Sequence, residues 1–483
     1  MGRWSGIEES YPRVTSHRDM TPDEFRLHGY AMVDWLAGYM ERVGDLPVQS
    51  EVAPGWIREV LPEHAPEEPE GFEAIAADLD RIVVPGLTNW TSPGWFAYFP
   101  CATSGPGVLG EMVAAGLDQQ GMLWATSPVC TELETVMVDW MVDLLGLPAR
   151  WKTTDRGGGV IQQTASDAAH VALVVARDRM ERRGADMGQC VAYTSTQAHS
   201  SIEKGARVAG YRHIRLVEVD DAYAMRPDAL EATASRDRAS GLAPTFVCST
   251  IGTTATTAVD PVRAIGEIAG DEGMWHHVDA AYAGNAMLCD EFRHHQDGLE
   301  LVDSYTVNPY KWTPMTFDGS LFFVADRGPL IQALSILPEY LRNEASESGQ
   351  VIDYRDWHVA LGRRFRSLKL WFVLRYYGAA GIRARIRANV SWAREFSSRV
   401  EADDRFDLVA PVPFSLVCFR HRAGRETTEA LAAEVNRSGH SYLTPSRIGD
   451  TSFIRVSVGG VGTRREHVER LWRFIDEKAG PFS

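Results

Sequence analysis

Lysine is scarce in this sequence, which has five lysines against 44 arginines in 483 residues. One of the five, Lys311, lies in residues 306–312, which are otherwise largely aromatic and apolar. A lysine in such a stretch either extends its ammonium group along apolar surface to solvent or stays desolvated, which lowers its pKa. A desolvated lysine is a neutral amine that can form a Schiff base with a carbonyl, so Lys311 is a candidate nucleophile.

Positive charge, paired cysteines and long apolar runs are also lacking. The net charge of −16 and the pI near 5.4 argue against nucleic acids and anionic membranes as partners, because the overall field repels them. The six cysteines form no CxxC pair, so neither a disulfide framework nor a structural zinc site is expected. No apolar run reaches the length of about 18 residues that a membrane span requires, and the N-terminus lacks an apolar signal core. We therefore expect a cytoplasmic protein without a metal site.

The order of the predicted elements indicates an α/β fold. A capped start at Thr21 and apolar residues at helical spacing predict an amphipathic helix over residues 21–42, and the acidic, proline-rich residues 63–70 predict a loop. Between residues 90 and 280, short β-like runs alternate with longer helical segments. That alternation predicts a sheet layer of mostly parallel strands covered by helices.

The pattern changes after about residue 381. Strands predicted at residues 414–420 and 453–458, followed by a helix at 464–477, indicate a small α+β domain at the C-terminus. We predict three parts: an N-terminal helical segment (1–100), a large α/β domain (101–380) and a small C-terminal α+β domain (381–483).

Asp279 is predicted to end an apolar strand, 32 residues before Lys311. Ligands of open α/β sheets gather at the carboxyl ends of the strands. If Lys311 forms an imine with pyridoxal phosphate, Asp279 can pair with the pyridinium nitrogen and keep the ring an electron acceptor. Alternatively, the aspartate caps a helix.

Three further segments carry candidate cofactor ligands. Residues 157–167 combine glycines and hydroxyls with the start of a helix, an arrangement that can bind phosphate, although Thr164 and Ser166 are also ordinary N-cap residues. Thr254 follows another strand and either offers a hydroxyl or closes a turn. His199 follows a strand and can stack on a pyridine ring, or it has a structural role.

Five segments together resemble the aromatic-L-amino-acid decarboxylases, which are group II pyridoxal-phosphate decarboxylases. These segments are residues 131–137, 197–201, 277–284, 308–312 and 362–369. The resemblance extends from about Met20 to Glu477. It implies the type I aminotransferase fold, pyridoxal phosphate as cofactor, and a homodimer whose active sites use residues from both subunits. By the same resemblance, residues 1–100 are the dimerisation segment and residues 101–380 bind the cofactor.

The resemblance also implies a role for each matching residue. Lys311 matches the Schiff-base lysine, Asp279 the pyridinium partner and His199 the ring-stacking histidine. Other cofactor-contacting positions are matched by Thr164, Ala165, Ser166, Thr254, Ala281 and Asn308. The substrate pocket is matched by Trp90, Tyr98, Phe99, Met122, Tyr310 and Gly362. Tyr340, on the loop that closes over the site in the family, matches the residue that protonates the substrate at Cα.

The implied reaction is decarboxylation of an aromatic L-amino acid to an arylalkylamine. Gly362 matches the glycine of indole-preferring plant relatives and favours tryptophan-like substrates, with 5-hydroxytryptophan, DOPA, tyrosine and phenylalanine as further candidates. Tyr310 replaces the histidine that is common in the family, and Met122 replaces a frequent phenylalanine, so substrate recognition can differ. Aldehyde-forming relatives typically carry phenylalanine in place of Tyr340 or asparagine in place of His199, and this chain has neither change.

The sequence leaves three alternatives open. An oxygen-using aromatic aldehyde synthase and a decarboxylase of an unusual amino acid share the same cofactor chemistry. Nucleotide binding is suggested by the GxGxxG of residues 105–110, but the pattern is not part of a strand–turn–helix unit, which the dinucleotide fingerprint requires.

Overall fold

The computed structural model describes residues 18–336 and 351–480. Its centre is a seven-stranded sheet in the order β1-β7-β6-β5-β4-β2-β3, in which β7 runs antiparallel to both neighbours and the other pairs are parallel. The predicted mostly parallel sheet is therefore confirmed. Its strands are β1 Gly158–Gln162, β2 Cys190–Ser195, β3 His213–Val217, β4 Ala243–Thr250, β5 Trp275–Asp279, β6 Ser304–Val307 and β7 Ser320–Val324.

Helices cover both faces of this sheet. Along β7, Leu321 and Phe323 are buried in one core cluster, whereas Phe322 and Val324 are buried in another. Alternate side chains of a strand point to opposite faces, so a strand buried on both faces becomes apolar throughout. Before the C-terminal domain the helices are α1 Pro22–Arg42, α2 Trp56–Val60, α3 Phe72–Asp78, α4 Gly105–Leu117, α5 Pro128–Leu145, α6 Ala165–Arg182, α7 Ser200–Val208, α8 Pro227–Ala239, α9 Val262–Glu272, α10 Pro309–Trp312 and α11 Arg327–Leu334.

The C-terminal part contains a separate four-stranded antiparallel sheet in the order β10-β11-β9-β8. This agrees with the predicted α+β domain. Its elements are α12 Ser367–Glu401, β8 Phe406–Leu408, β9 Leu416–His421, α13 Arg425–Arg437, β10 Thr444–Ile448, β11 Thr451–Ser457 and α14 Arg465–Ala479. The boundary predicted at residues 380 and 381 falls inside α12, close to the break in this helix at Gly378 (φ 62°, ψ 164°). The division into domains stays a prediction.

Local predictions in the N-terminal part are confirmed. Helix α1 begins after Thr21, whose side chain forms a capping box with Glu24, and residues 63–70 contain neither helix nor strand. The GxGxxG segment forms the first turns of α4 after its N-cap Ser104, so it has no strand–turn–helix context and is not a nucleotide fingerprint. In the described ranges, no helix is long and apolar enough to cross a membrane.

Two adjacent histidines on β5 are buried as neutral rings. Burial lowers the pKa of His276 to about 3 and that of His277 to about 4, whereas histidines in an unfolded chain titrate near pH ~6.5. As the pH falls below that value, the unfolded chain binds protons that the folded chain does not. These histidines therefore reduce the free energy of unfolding as the solution is acidified from about pH 6.5 towards pH 4.

A substitution at His277 tests this contribution. Ser304 Oγ accepts a hydrogen bond from Trp275 Nε1 and donates one to His277 Nδ1 at 2.8 Å, and asparagine offers an oxygen for the same bond. We expect His277→Asn to lose less stability between about pH 7 and pH 5 than the unsubstituted protein, by on the order of 2 kcal/mol. Urea unfolding at both pH values measures the difference. Burial raises the pKa of Asp260 to about 7, so this carboxyl group increases the free energy of unfolding as the pH falls from 7 to 5. The increase is the same in both proteins and does not contribute to the difference between them. Equal losses would contradict the expectation.

Candidate active site

A cavity of about 260 Å³ lies at the carboxyl ends of β4 and β5, where open α/β sheets bind ligands. Thr250 and Asp279, the last residues of these strands, line it. It also brings together many of the residues that the sequence singled out, although these are distant in the chain. They are Phe99, Thr164, Ala165, Ser166, His199, Thr254, Ala281, Asn308, Tyr310 and Lys311.

Lys311 extends into this cavity from the short helix α10. Burial lowers its pKa, and the negative charge of Asp279 opposes the shift in part. Its Nζ atom lies 5.4 Å from the centroid of the Phe99 ring. The amine is therefore neutral over a wider pH range than an exposed lysine, which is the state that a nucleophile requires.

His199 is the N-cap of α7, and its protonation state follows from its contacts. Nδ1 accepts a hydrogen bond from the backbone N–H of Ser201 at 3.1 Å, and it lies 2.8 Å from the Ser201 hydroxyl. Burial lowers the pKa of His199, with Asp279 opposing the shift and Lys311 adding to it. The neutral ring therefore carries its hydrogen on Nε2, which is available as a donor.

Asp279 supplies a negative charge to the cavity. Its side chain is 6% exposed, and Oδ1 accepts a hydrogen bond from the backbone N–H of Ala281 at 3.0 Å. Within residues 18–336 and 351–480, no arginine or lysine forms an ion pair with it. A buried carboxylate without an ion-pair partner is suited to a ligand that brings its own positive charge.

The N-terminus of α6 forms another side of the cavity. Thr164 caps this helix and donates both its backbone N–H and its hydroxyl to Asp167, at 2.9 and 2.8 Å. The backbone N–H groups of Ala165 and Ser166, in the first turn, have no intrahelical acceptors. Free N–H groups and the dipole of an 18-residue helix favour an anion at this position.

The glycines of residues 157–159 have a different role from the one predicted. They lie at the start of β1, before the anion-binding turn. A Cβ atom on Gly158 would lie 2.5 Å from the Trp357 ring, and one on Gly159 would lie 2.8 Å from Phe323. These glycines therefore allow close packing of the strand and do not contact the cavity.

The predicted substrate-pocket residues fall into three places. Phe99 lines the cavity and stacks on Tyr282, with ring centroids 3.8 Å apart. Trp90 and Tyr98 stack on each other outside the cavity lining, with centroids 5.6 Å apart. Met122 and Gly362 belong to a third region, in which the two segments are joined by the hydrogen bond from Gly121 N to Arg363 O at 3.0 Å. Tyr340 lies outside the described residues.

Arg455 is a residue near the site that the sequence did not reveal. It lies on β11, is 4% exposed, and donates to the backbone oxygens of Thr254 (2.8 Å) and Ala255 (3.0 Å). Its guanidinium carbon lies 5.3 Å from the centroid of the Phe99 ring. This contact fixes the Thr254 loop to the C-terminal sheet and adds positive charge near Lys311.

The donor chemistry of the described chain gives no support for a metal centre. Among these residues, no cluster of three or more histidines, cysteines, aspartates and glutamates is arranged to hold a metal ion. The six cysteines, all described, are free thiols.

Comparison with known proteins gives consistent matches over nearly the whole chain. The family described as pyridoxal-dependent decarboxylase conserved domain matches residues 54–422. Tryptophan decarboxylase 2 of Oryza sativa subsp. japonica is 42% identical over 475 residues, covering 96% of each chain. Phenylacetaldehyde synthase of Arabidopsis thaliana is 42% identical over 476 residues, covering 96% of this chain and 97% of the relative. The crystal structure of Oryza sativa TDC with PLP and tryptamine superposes with a TM-score of 0.94 at 37% identity, covering 97% of this chain and 100% of that one.

Proposed function

The chain belongs to the family of pyridoxal-dependent decarboxylases, and we propose from this premise that it converts an aromatic L-amino acid to the arylalkylamine and carbon dioxide. As a member of that family it is a carboxy-lyase that uses pyridoxal phosphate. The observation that carries the proposal is the meeting of Lys311, Asp279 and His199 in one cavity beside the N-terminus of α6.

The residues of the cavity fit pyridoxal phosphate. The unpaired Asp279 carboxylate suits the protonated pyridine nitrogen, and the free N–H groups of α6 suit the phosphate. Lys311 would hold the cofactor covalently through its amine. His199 and Ala281 would contact the ring. The phosphate would be held by Thr164, Ala165, Ser166, Thr254 and Asn308.

The chemistry is divided between the cofactor and the chain. When bound, pyridoxal phosphate supplies a sink for the electron pair that remains at Cα as carbon dioxide leaves. Asp279 keeps a negative charge beside the site, which favours a proton on the ring nitrogen. The Nε2–H group of His199 is available to bind and orient the substrate carboxylate. Phe99 and Tyr282 form an apolar wall that excludes water.

We assign the proton that replaces the carboxyl group to the hydroxyl of Tyr340. This assignment rests on the sequence resemblance, because the residue lies outside the described ranges. A tyrosine hydroxyl is a competent general acid when it is placed near Cα. Together with His199, it favours release of an amine over formation of an aldehyde.

The substrate that we propose first is tryptophan or a close analogue. Gly362 supports an indole-sized substrate through the sequence resemblance, and one of the similar proteins is a tryptophan decarboxylase. The other aromatic amino acids differ from tryptophan by contacts worth about 1–3 kcal/mol, so we expect measurable turnover of several of them.

We propose that the working unit is a homodimer. Apolar side chains at Phe25 and Tyr30 of α1 and at Leu109 and Leu117 of α4 are half exposed or more in this chain. Exposed apolar patches of this kind mark protein interfaces. A partner subunit would cover these apolar side chains. It would also bring its own Met122 and Gly362 regions to the cavity, because the cavity lining within one chain does not include these two residues. The free thiols support a reducing cytoplasm as its location.

The proposal predicts the products of a defined incubation. Purified protein with pyridoxal phosphate is given tryptophan, 5-hydroxytryptophan, phenylalanine, tyrosine and DOPA separately in air. We expect amine without hydrogen peroxide, most rapidly from tryptophan or 5-hydroxytryptophan. Mass spectrometry measures amine and aldehyde, and a coupled assay measures peroxide. Failure to convert any of the five would contradict an aromatic substrate.

An aldehyde synthase is the second candidate, favoured by the similarity to a phenylacetaldehyde synthase at the same 42% identity. Such an enzyme consumes oxygen and releases ammonia and peroxide with the aldehyde. The same incubation separates the two, because peroxide equimolar with aldehyde would replace the amine. That result would also show that Tyr340 and His199 together do not determine the product.

A further inference from the structure

Tyr310 lies immediately before Lys311 and lines the same cavity. Its side chain is 7% exposed, and its ring packs edge-on against Phe317, with centroids 4.9 Å apart. Its backbone oxygen accepts a hydrogen bond from Ala102 N at 2.7 Å. Both contacts hold the ring at a defined position in the cavity wall.

The hydroxyl of Tyr310 has one hydrogen-bond partner in the described chain. Asn308 Nδ2 donates to Tyr310 Oη at 2.8 Å. With the Asn308 amide in this orientation, the bond uses a lone pair of the oxygen, and the hydroxyl donates no hydrogen bond within the described ranges. Burial raises the pKa of Tyr310, so the hydroxyl keeps its proton at physiological pH.

The missing partner of this hydroxyl is an acceptor. A buried donor without an acceptor is costly, and an anionic acceptor forms the strongest hydrogen bond with it. The cavity that Tyr310 lines is also lined by Asn308 and by the first turn of α6, where free N–H groups favour an anion.

We propose that the Tyr310 hydroxyl donates a hydrogen bond to the phosphate group of bound pyridoxal phosphate. Tyr310 is then a cofactor-binding residue, whereas its position in the sequence motif predicted a substrate-pocket residue. Asn308 orients the hydroxyl by occupying its lone pair. This inference rests on the cofactor part of the proposed function, but not on the identity of the amino acid substrate.

The test compares two cofactors that differ by the phosphate group. Pyridoxal phosphate and pyridoxal are titrated separately into the full-length protein freed of cofactor, and binding is followed by the absorbance that develops on reaction with Lys311. For Tyr310→Phe, which loses only the hydroxyl, we expect the dissociation constant of pyridoxal phosphate to rise about tenfold or more. The dissociation constant of pyridoxal is expected to stay the same.

Two further variants separate a phosphate contact from general packing. Tyr282→Phe also removes a hydroxyl from the cavity wall, but that hydroxyl lies 2.5 Å from Ser415 Oγ, so the ratio of the two dissociation constants should not change. Tyr310→His restores a hydrogen-bond donor, so the ratio of the two dissociation constants should return most of the way to that of the unsubstituted protein. Equal weakening of both cofactors in Tyr310→Phe, or no weakening, would overturn the inference. Absence of any pyridoxal phosphate binding by the unsubstituted protein would instead overturn the proposed function.

Discussion

Lys311→Ala protein is expected to lose decarboxylation by roughly 10⁴-fold or more and to bind pyridoxal phosphate without a covalent bond. The reason is that the amine of Lys311 is the group in the cavity that can form this bond, and burial lowers its pKa so that it reacts as a neutral nucleophile. Borohydride reduction of the cofactor-loaded protein followed by peptide mass spectrometry measures the bond. We expect a cofactor-modified peptide that contains Lys311 in the unsubstituted protein and none in the variant.

The matched control for Lys311 is Lys204, another of the five lysines, which is exposed on α7. Lys204→Ala should retain both the reduced cofactor peptide and full activity. If the Lys311→Ala protein still carried a borohydride-reduced cofactor adduct and still turned over substrate, the nucleophile would be another residue. The cavity would then not be the active site.

For Asp279→Asn, we expect decarboxylation to fall on the order of 10²–10³-fold while the covalent bond at Lys311 still forms. Asparagine keeps an oxygen that can accept the hydrogen bond from Ala281 N, so the backbone at the end of β5 is preserved. What is lost is the negative charge that would stabilise a protonated pyridine nitrogen. Asp279 also raises the pKa values of Lys311 and His199, so both should fall further in the variant.

Steady-state rates and the pH dependence of the cofactor absorbance measure these effects on one preparation. Asp326→Asn is the control, because Asp326 caps α11 and asparagine caps helices equally well. It should leave the rate and the absorbance unchanged. An Asp279→Asn enzyme with nearly full activity would show that the carboxylate does not act on the cofactor.

The parts of the site that could be predicted from the sequence depend on short-range signals. Asp279 follows an apolar strand, and Thr164 precedes a helix, so their places at strand and helix ends follow from local pattern. Because the carboxyl ends of adjacent parallel strands meet at one edge of a sheet, residues distant in the chain then come together there. That Asp279 and Lys311 belong to one cofactor site followed from the family resemblance, because the pattern alone left this open.

Other features depend on tertiary contacts that leave no local signal. Arg455 lies in a strand of the C-terminal sheet, and its position beside Thr254 follows from how that sheet packs on the larger one. The glycines at the start of β1 resembled a phosphate loop, but close packing against Trp357 and Phe323 explains them. Tyr310 could be placed next to Lys311 from sequence, whereas its hydrogen bond with Asn308 could not.

The most direct test of decarboxylation is the turnover of tryptophan in deuterium oxide, with carbon dioxide and amine measured together. We predict equimolar carbon dioxide and tryptamine, with one non-exchangeable deuteron at the former Cα, because a single proton from the enzyme replaces the carboxyl group. Indole-3-acetaldehyde with hydrogen peroxide, or recovery of tryptophan that has exchanged its Cα hydrogen without losing carbon dioxide, would show that the enzyme is not a simple decarboxylase of tryptophan.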